Sequence, residues 1–228
     1  MSATLDRQTV ERMVRQSLER RLKPAESPGT AVPGPATPPK LVVNVSARHA
    51  HVTQEDLELL FGKGHQLKPM KWLYQDGFFA AEEAVTIIGP RQRMITNLRI
   101  LGPCRDHSQV ELAFTDSISL GLDIPVRKSG DHRDSPGCWM MGPAGMIQLK
   151  KGVIRHERHV HLGPDAAAYY GVKDGDRINL RVKSSCSAVL EDVLVRFAAS
   201  SKLEVHIDTD EGNAVDLAHA TKCELFKH

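Results

Sequence analysis

RHAHVTQEDLELLFG (residues 48–62) and RHVHLGPDAAAYYG (residues 158–171) carry one pattern twice. Each runs from Arg through His-x-His to a helix-starting residue, a short helical stretch and a closing Gly. In a strand the side-chain period is two, so both imidazoles of each His-x-His leave the same face and can grip one cation. Thr53 is a helix cap with acidic residues after it, and Pro164 suits an early helical position, so helices are expected over Thr53–Phe61 and Pro164–Tyr170. Outward from these two words the chain reads mostly as short strands. LVVNVSARH, AVTIIG, LRILG, QVELAF, RINLRV, DVLVRF and LEVHID are apolar or alternating, rich in β-branched residues, and bounded by Gly, Pro or Asp. Many short strands with few helices predict a mainly β fold of barrels or sandwiches. The repeat extends further: Val110-Glu111-Leu112 followed by Thr115-Asp116 corresponds to Val205-His206-Ile207 followed by Thr209-Asp210, which suggests a duplicated β-domain. Arg127–Gly145, rich in Gly, Pro, Asp and Ser, reads as the connection between the halves.

The first 23 residues form a separate unit. Leu5, Val10, Met13, Val14, Leu18 and Leu22 recur at helical spacing with Arg and Glu between them, followed by the Pro-rich stretch 24–39, which holds neither helix nor ladder. An amphipathic helix on an extended tether reads as a docking peptide for another protein. Its mixed Glu and Arg polar face disfavours a membrane surface. In the whole chain of 228 residues, 30 Lys+Arg nearly balance 28 Asp+Glu and aromatics make up 5%. That composition argues against nucleic-acid binding. Four scattered cysteines without a Cys-x-x-Cys pair fit a reducing compartment. No apolar run is long enough to span a bilayer, so a cytoplasmic protein is expected.

Because Glu111 and His206 hold equivalent places, each His-x-His is expected to gain one further ligand. The two sets are then His49, His51 and Glu111, and His159, His161 and His206. Three protein ligands with an open position is the arrangement of catalytic zinc, although imidazole also suits nickel, cobalt, iron or copper. Arg105, in a turn upstream of Glu111, offers a fork that matches phosphate or an oxyanion; its alternative is a solvated strand-end Arg. Arg99 and Lys71 also lie close in sequence. There is no phosphate loop, no dinucleotide fingerprint and no nucleophile elbow. Two other classes remain open: a cupin-like mononuclear metal oxygenase or isomerase, since Glu55 follows His49-x-His51, and a non-catalytic shell adaptor whose histidines only stabilise the fold.

VSARHAHVTQEDLELLFG, NLRILGPCRDHSQVELAFTD, RHVHLGPDAAAYYGVKDGD and VHIDTDEGNA together resemble the PduL-type phosphate propanoyltransferases, the phosphotransacylases of bacterial microcompartments. The resemblance runs from about Leu41 to the C-terminus, with the four motifs in the family's order. It implies two small β-barrels capped by short helices, one formed by 41–47 plus 157–226 and the other by 48–156, with the first strand exchanged between them. It implies two Zn2+ per chain on the six ligands above, a phosphate-contacting Arg105, and coenzyme A contacts at Ser46, Lys71, Arg99 and Asn213. It implies acyl-CoA, with propanoyl-CoA expected, and inorganic phosphate as substrates, consistent with propanediol degradation. It also makes 1–23 an encapsulation peptide for a shell protein, placing the chain inside a bacterial microcompartment. Self-association is left open.

Overall fold

A computed structural model describes residues 38–227. The expected N-terminal helix and the tether up to residue 37 lie outside them. The described chain is mainly β: two curled half-barrel sheets and a few short helices.

Strand β1 (Val42–Val45) precedes a run of nine strands that all belong to one sheet. These are β2 (His49–His51), β3 (Pro69–Trp72), β4 (Phe79–Ile88), β5 (Met94–Gly102), β6 (Gln109–Glu111), β7 (Val126–Arg127), β8 (Cys138–Met141), β9 (Met146–Leu149) and β10 (Val153–His156). The second sheet takes β11 (His159–Leu162), β12 (Arg177–Lys183), β13 (Ala188–Phe197), β14 (Glu204–Ile207) and β15 (Lys222–Phe226), and its sixth strand is β1. The chain's first strand therefore lies parallel to β14, with Val43 opposite Val205 and Val45 opposite Ile207. Arg127–Gly145 is more than a connection. Its ends enter the nine-stranded sheet, with β7 parallel to β10 and β8 antiparallel to β4.

Strand alternation explains the two cores. Val85 and Ile87 of β4, Leu98 and Ile100 of β5, and Val110 of β6 point inward with Ala50, against Leu57 and Leu60 of α1 (Gln54–Phe61). In the second sheet Val160, Leu180, Val193, Val195 and Val205 do the same. Each such side chain contributes about 1.5–3 kcal/mol on burial. Ala50 and Val160 are the inward residues of the two His-x-His words. The core therefore fixes the register that turns the imidazoles to the opposite face.

The short helices are set by their ends. Thr53 Oγ1 accepts from Asp56 N at 3.0 Å to start α1, the helix expected at Thr53–Phe61. Helix α2 (Phe114–Leu120), which the pattern did not predict, has no cap from its own flank. Instead Asp210 accepts from Thr115 N at 3.0 Å and from its hydroxyl. Helix α3 (Pro164–Tyr170) opens on proline and closes on Gly171 in the left-handed conformation, as Gly121 closes α2. Helix α4 (Thr209–Ala214) carries a reciprocal capping box between Asp208 and Glu211. Arg155 of β10 reaches Asp208 and, at 2.9 Å, Glu211, and Arg158 also meets Glu211 at 2.9 Å. These ion pairs and the Thr115–Asp210 bonds knit the two sheets together beside the histidines.

Candidate metal centre

β2 lies antiparallel to β6 with His49 directly opposite Glu111. β11 lies antiparallel to β14 with His159 directly opposite His206. The six expected ligands thereby fall into two groups, each with its three donor atoms within 4.8 Å of one another.

Second-layer hydrogen bonds fix the first group. A carbonyl oxygen only accepts, so His49 Nδ1–H donates to Ala47 O at 2.8 Å and His51 Nδ1–H to Leu101 O at 3.2 Å. Both Nε2 atoms then carry lone pairs, yet they face each other at 3.2 Å. Glu111 brings its oxygens to 3.5 Å from His49 Nε2 and 3.8 Å from His51 Nε2. Lone pairs converging on one point without a proton between them repel unless a cation sits there. The donor set fits a divalent ion such as zinc. Glu111 is braced from behind by Gln109 Nε2 at 2.6 Å and Ser129 Oγ at 2.7 Å.

In the second group His159 Nδ1–H donates to Glu157 O at 2.8 Å. The His159 and His206 rings stack at 5.0 Å, and His161 stands edge-on to both. His206 Nε2 is buried, 3.2 Å from Glu204 Oε2 but without the alignment of a hydrogen bond. Glu204 in turn accepts from Asn44 at 2.6 Å and Gln75 at 2.7 Å.

Burial is the main cause holding His49, His51, His159 and His161 neutral. His49 and His51 lie below the ordinary histidine range for that reason, His51 well below it with the His49 ring as a further cause. His159 is lowered well below by burial and then by His206, and the same two causes bring His161 to about 4. Neutral imidazole is the form that binds metal. Burial pushes the Glu111 carboxyl up, but His49, His156, His51 and Ser129 together outweigh it and keep the group ionised.

Arg105 is tied to this centre. Its backbone N–H donates to Val52 O at 2.9 Å, just past His51, and Nη1 donates to Ser129 Oγ at 3.0 Å. Of the other sequence candidates, Ser46 lies between β1 and β2, its N–H on Ile207 O at 2.8 Å. Lys71 is exposed on β3. Arg99 is opposite His49 in parallel register and donates to Ala81 O and Glu82 O. Asn213 is exposed on α4, the helix following the His206 strand. Among the described residues none of these four makes a hydrogen bond or ion pair with a ligand side chain.

Two residues escaped the sequence reading. His156, at the end of β10, is 2% exposed, with Nε2 lacking any partner among the described residues and its ring 5.7 Å from that of His159. Its spacing to His159 and His161 in His156-x-x-His159-x-His161 is a signal that could have found it. Arg196 of β13 lies opposite His161. The alternation of DVLVRF places it on the face away from Val193 and Val195.

Comparison with known proteins identifies the family. The family model for phosphate propanoyltransferase matches residues 42–218. The chain belongs to the phosphate propanoyltransferase family. A member from Planctopirus limnophila is 59% identical over 100% of this chain and 94% of its own length. One from Thermotoga maritima is 48% identical over 78% of this chain and 85% of its own. A Rhodopseudomonas palustris member is 38% identical over 98% and 99%. The family is one of acyltransferases, so the chain is an enzyme and not a shell adaptor. No helix among the described residues is long and apolar enough to cross a membrane.

Proposed function

We propose that this chain converts propanoyl-CoA and inorganic phosphate to propanoyl phosphate and free CoA, reversibly, between two Zn2+ sites. The supporting observation is the pairing of two equivalent donor groups, His49, His51 and Glu111 on one sheet and His159, His161 and His206 on the other, with Arg105 linked to the first through Ser129. When bound, the two cations supply Lewis acidity for the oxygens of phosphate and of the thioester carbonyl.

The side chains account for the rest. Arg105 uses one N–H on Ser129, and its remaining donors hold phosphate with an oxygen directed at the carbonyl carbon. That oxygen forms the new C–O bond, the C–S bond breaks, and the thiolate leaves as CoA. In this reading no protein side chain acts as the nucleophile. Cys104, the cysteine nearest Arg105 in sequence, donates weakly to Gln54 Oε1 at 3.7 Å, and burial pushes its thiol up. A thiol so placed stays protonated and unreactive. Direct attack without an acyl-enzyme follows. Ser46, Lys71, Arg99 and Asn213 contact coenzyme A in this reading.

The division into 41–47 plus 157–226 and 48–156 belongs to the same reading, each part carrying one His-x-His. Residues 1–23 dock to a shell protein and hold the enzyme inside a bacterial microcompartment for propanediol degradation.

The deciding assay follows thiol release from acetyl-, propanoyl- and butanoyl-CoA with phosphate, on metal-replete and chelated protein. Turnover needs both phosphate and metal, is fastest with propanoyl-CoA, and survives removal of residues 1–23. Thiol release independent of phosphate, or ping-pong kinetics with a trapped acyl-protein, would defeat the reading.

A further inference from the structure

We infer that Arg196 is the second half of a phosphate clamp, meeting from the six-stranded sheet the anion that Arg105 meets from the nine-stranded one. The inference rests on the reading of Arg105 and the reaction given above.

The argument begins in the register. β13 lies parallel to β11 with Leu194 opposite His159 and Arg196 opposite His161. Paired residues on neighbouring strands share a face, so Arg196 leaves the sheet on the side that carries the histidines and away from buried Val195. Its guanidinium is half-buried, yet no carboxylate or carbonyl of the described residues lies within hydrogen-bonding reach of it. Its neighbours behave otherwise: Arg158 meets Glu211 at 2.9 Å, Arg177 meets Glu157 at 2.5 Å, and Arg181 meets Glu224 at 3.8 Å. A guanidinium withdrawn from water without an acceptor is costly, and the cost is met when a ligand supplies the oxygens.

The surroundings identify that ligand. Arg105 and Arg196 both lie below the ordinary arginine range, chiefly through burial. Glu111 opposes the shift in each, and the charge of Arg196 adds to it in Arg105. One carboxylate thus lies in the field of two guanidiniums from different sheets, and Glu111 already spends an oxygen on Gln109 and Ser129. Asp106 also acts on Arg105 and Asp174 on Arg196. Yet among the described residues no carboxylate forms an ion pair with either guanidinium, and donors left open on two sides suit an anion with oxygens directed to both. Of the reacting groups the thioester is neutral, and inorganic phosphate is the small polyanion whose tetrahedral oxygens accept from two forks at once. Arg196 therefore touches substrate, and phosphate closes the two sheets on one another.

The test uses zinc-replete full-length Arg196→Ala and Arg196→Gln, the latter keeping part of the stem should the former fold poorly. The KM for phosphate rises roughly tenfold or more, matching loss of one charge-assisted contact, while the KM for propanoyl-CoA stays within about twofold. Guanidinium ion added to Arg196→Ala restores part of the rate, and the rise in melting temperature caused by inorganic phosphate shrinks. A merely structural role would move none of these selectively. An unchanged phosphate KM, or a rise confined to propanoyl-CoA, overturns the assignment. Arg105→Ala run in parallel separates the two failures. If it raises the phosphate KM while Arg196→Ala does not, only the clamp is lost. If neither variant does, the reading of Arg105 falls with it.

Discussion

In the nine-stranded sheet the strand bearing His49 and His51 faces a carboxylate, Glu111; in the six-stranded sheet the strand bearing His159 and His161 faces an imidazole, His206. The backbone pairing is the same and one side chain differs. In the first group all three ligands are buried, and the Glu111 charge offsets half that of a divalent ion. In the second, His161 and His206 are partly open, and three neutral ligands would leave a bound ion its full charge. The nearby carboxylate, Glu204, stands opposite His161 and is already held by Asn44 and Gln75. One substitution in a duplicated frame thus gives the two donor groups different charge and exposure.

The comparison breaks most decisively by removing one ligand from each side. His49→Ala and His159→Ala should each lower turnover by on the order of 10³, the loss of several kcal/mol of charge stabilisation. Elemental analysis should show one metal equivalent gone and the other retained. Loss of both ions from either variant would mean that the groups are a single site. A smaller effect sharpens the difference at Glu111. Ser129→Ala removes its brace and should weaken metal binding at the first group by roughly 10–100-fold, leaving the second unchanged, as competition with a chelator can measure.

The smallest effect is that of pH on chelated protein. His161 sits at about 4 in the fold against 6.5 ordinarily, so the unfolded chain binds more protons between those values. Stability is then fully present above pH 6.5 and is lost as pH falls toward 4. Melting temperature should drop across that window, and His161→Gln should flatten the slope. An identical slope in the variant would assign it to His49, His51 and His159, which shift the same way.

The equivalence of Glu111 and His206 was legible because the duplication preserved the order strand, His-x-His, cap and helix, and ligand spacing is local within each strand. Helices α1 and α3 were legible for a similar reason, since Thr53 and Pro164 announce them. Helix α2 was not, because its cap, Asp210, comes from the other half of the chain. Helix α4 had a signal in Asp208-x-x-Glu211, masked by the strand LEVHID running into it. Ser129 lay in a segment whose composition says only loop. Arg196 and His156 depend on register between strands distant in sequence, which alternation alone does not report.

β1 pairs with β14 across 160 positions, Asn44 bonding Glu204. On a ribosome the earliest strand of the body emerges long before its neighbour exists, and must wait with bare backbone amides while the whole intervening sheet is made. Neither half can be completed alone, and in a crowded cell a waiting strand is open to capture by another nascent copy.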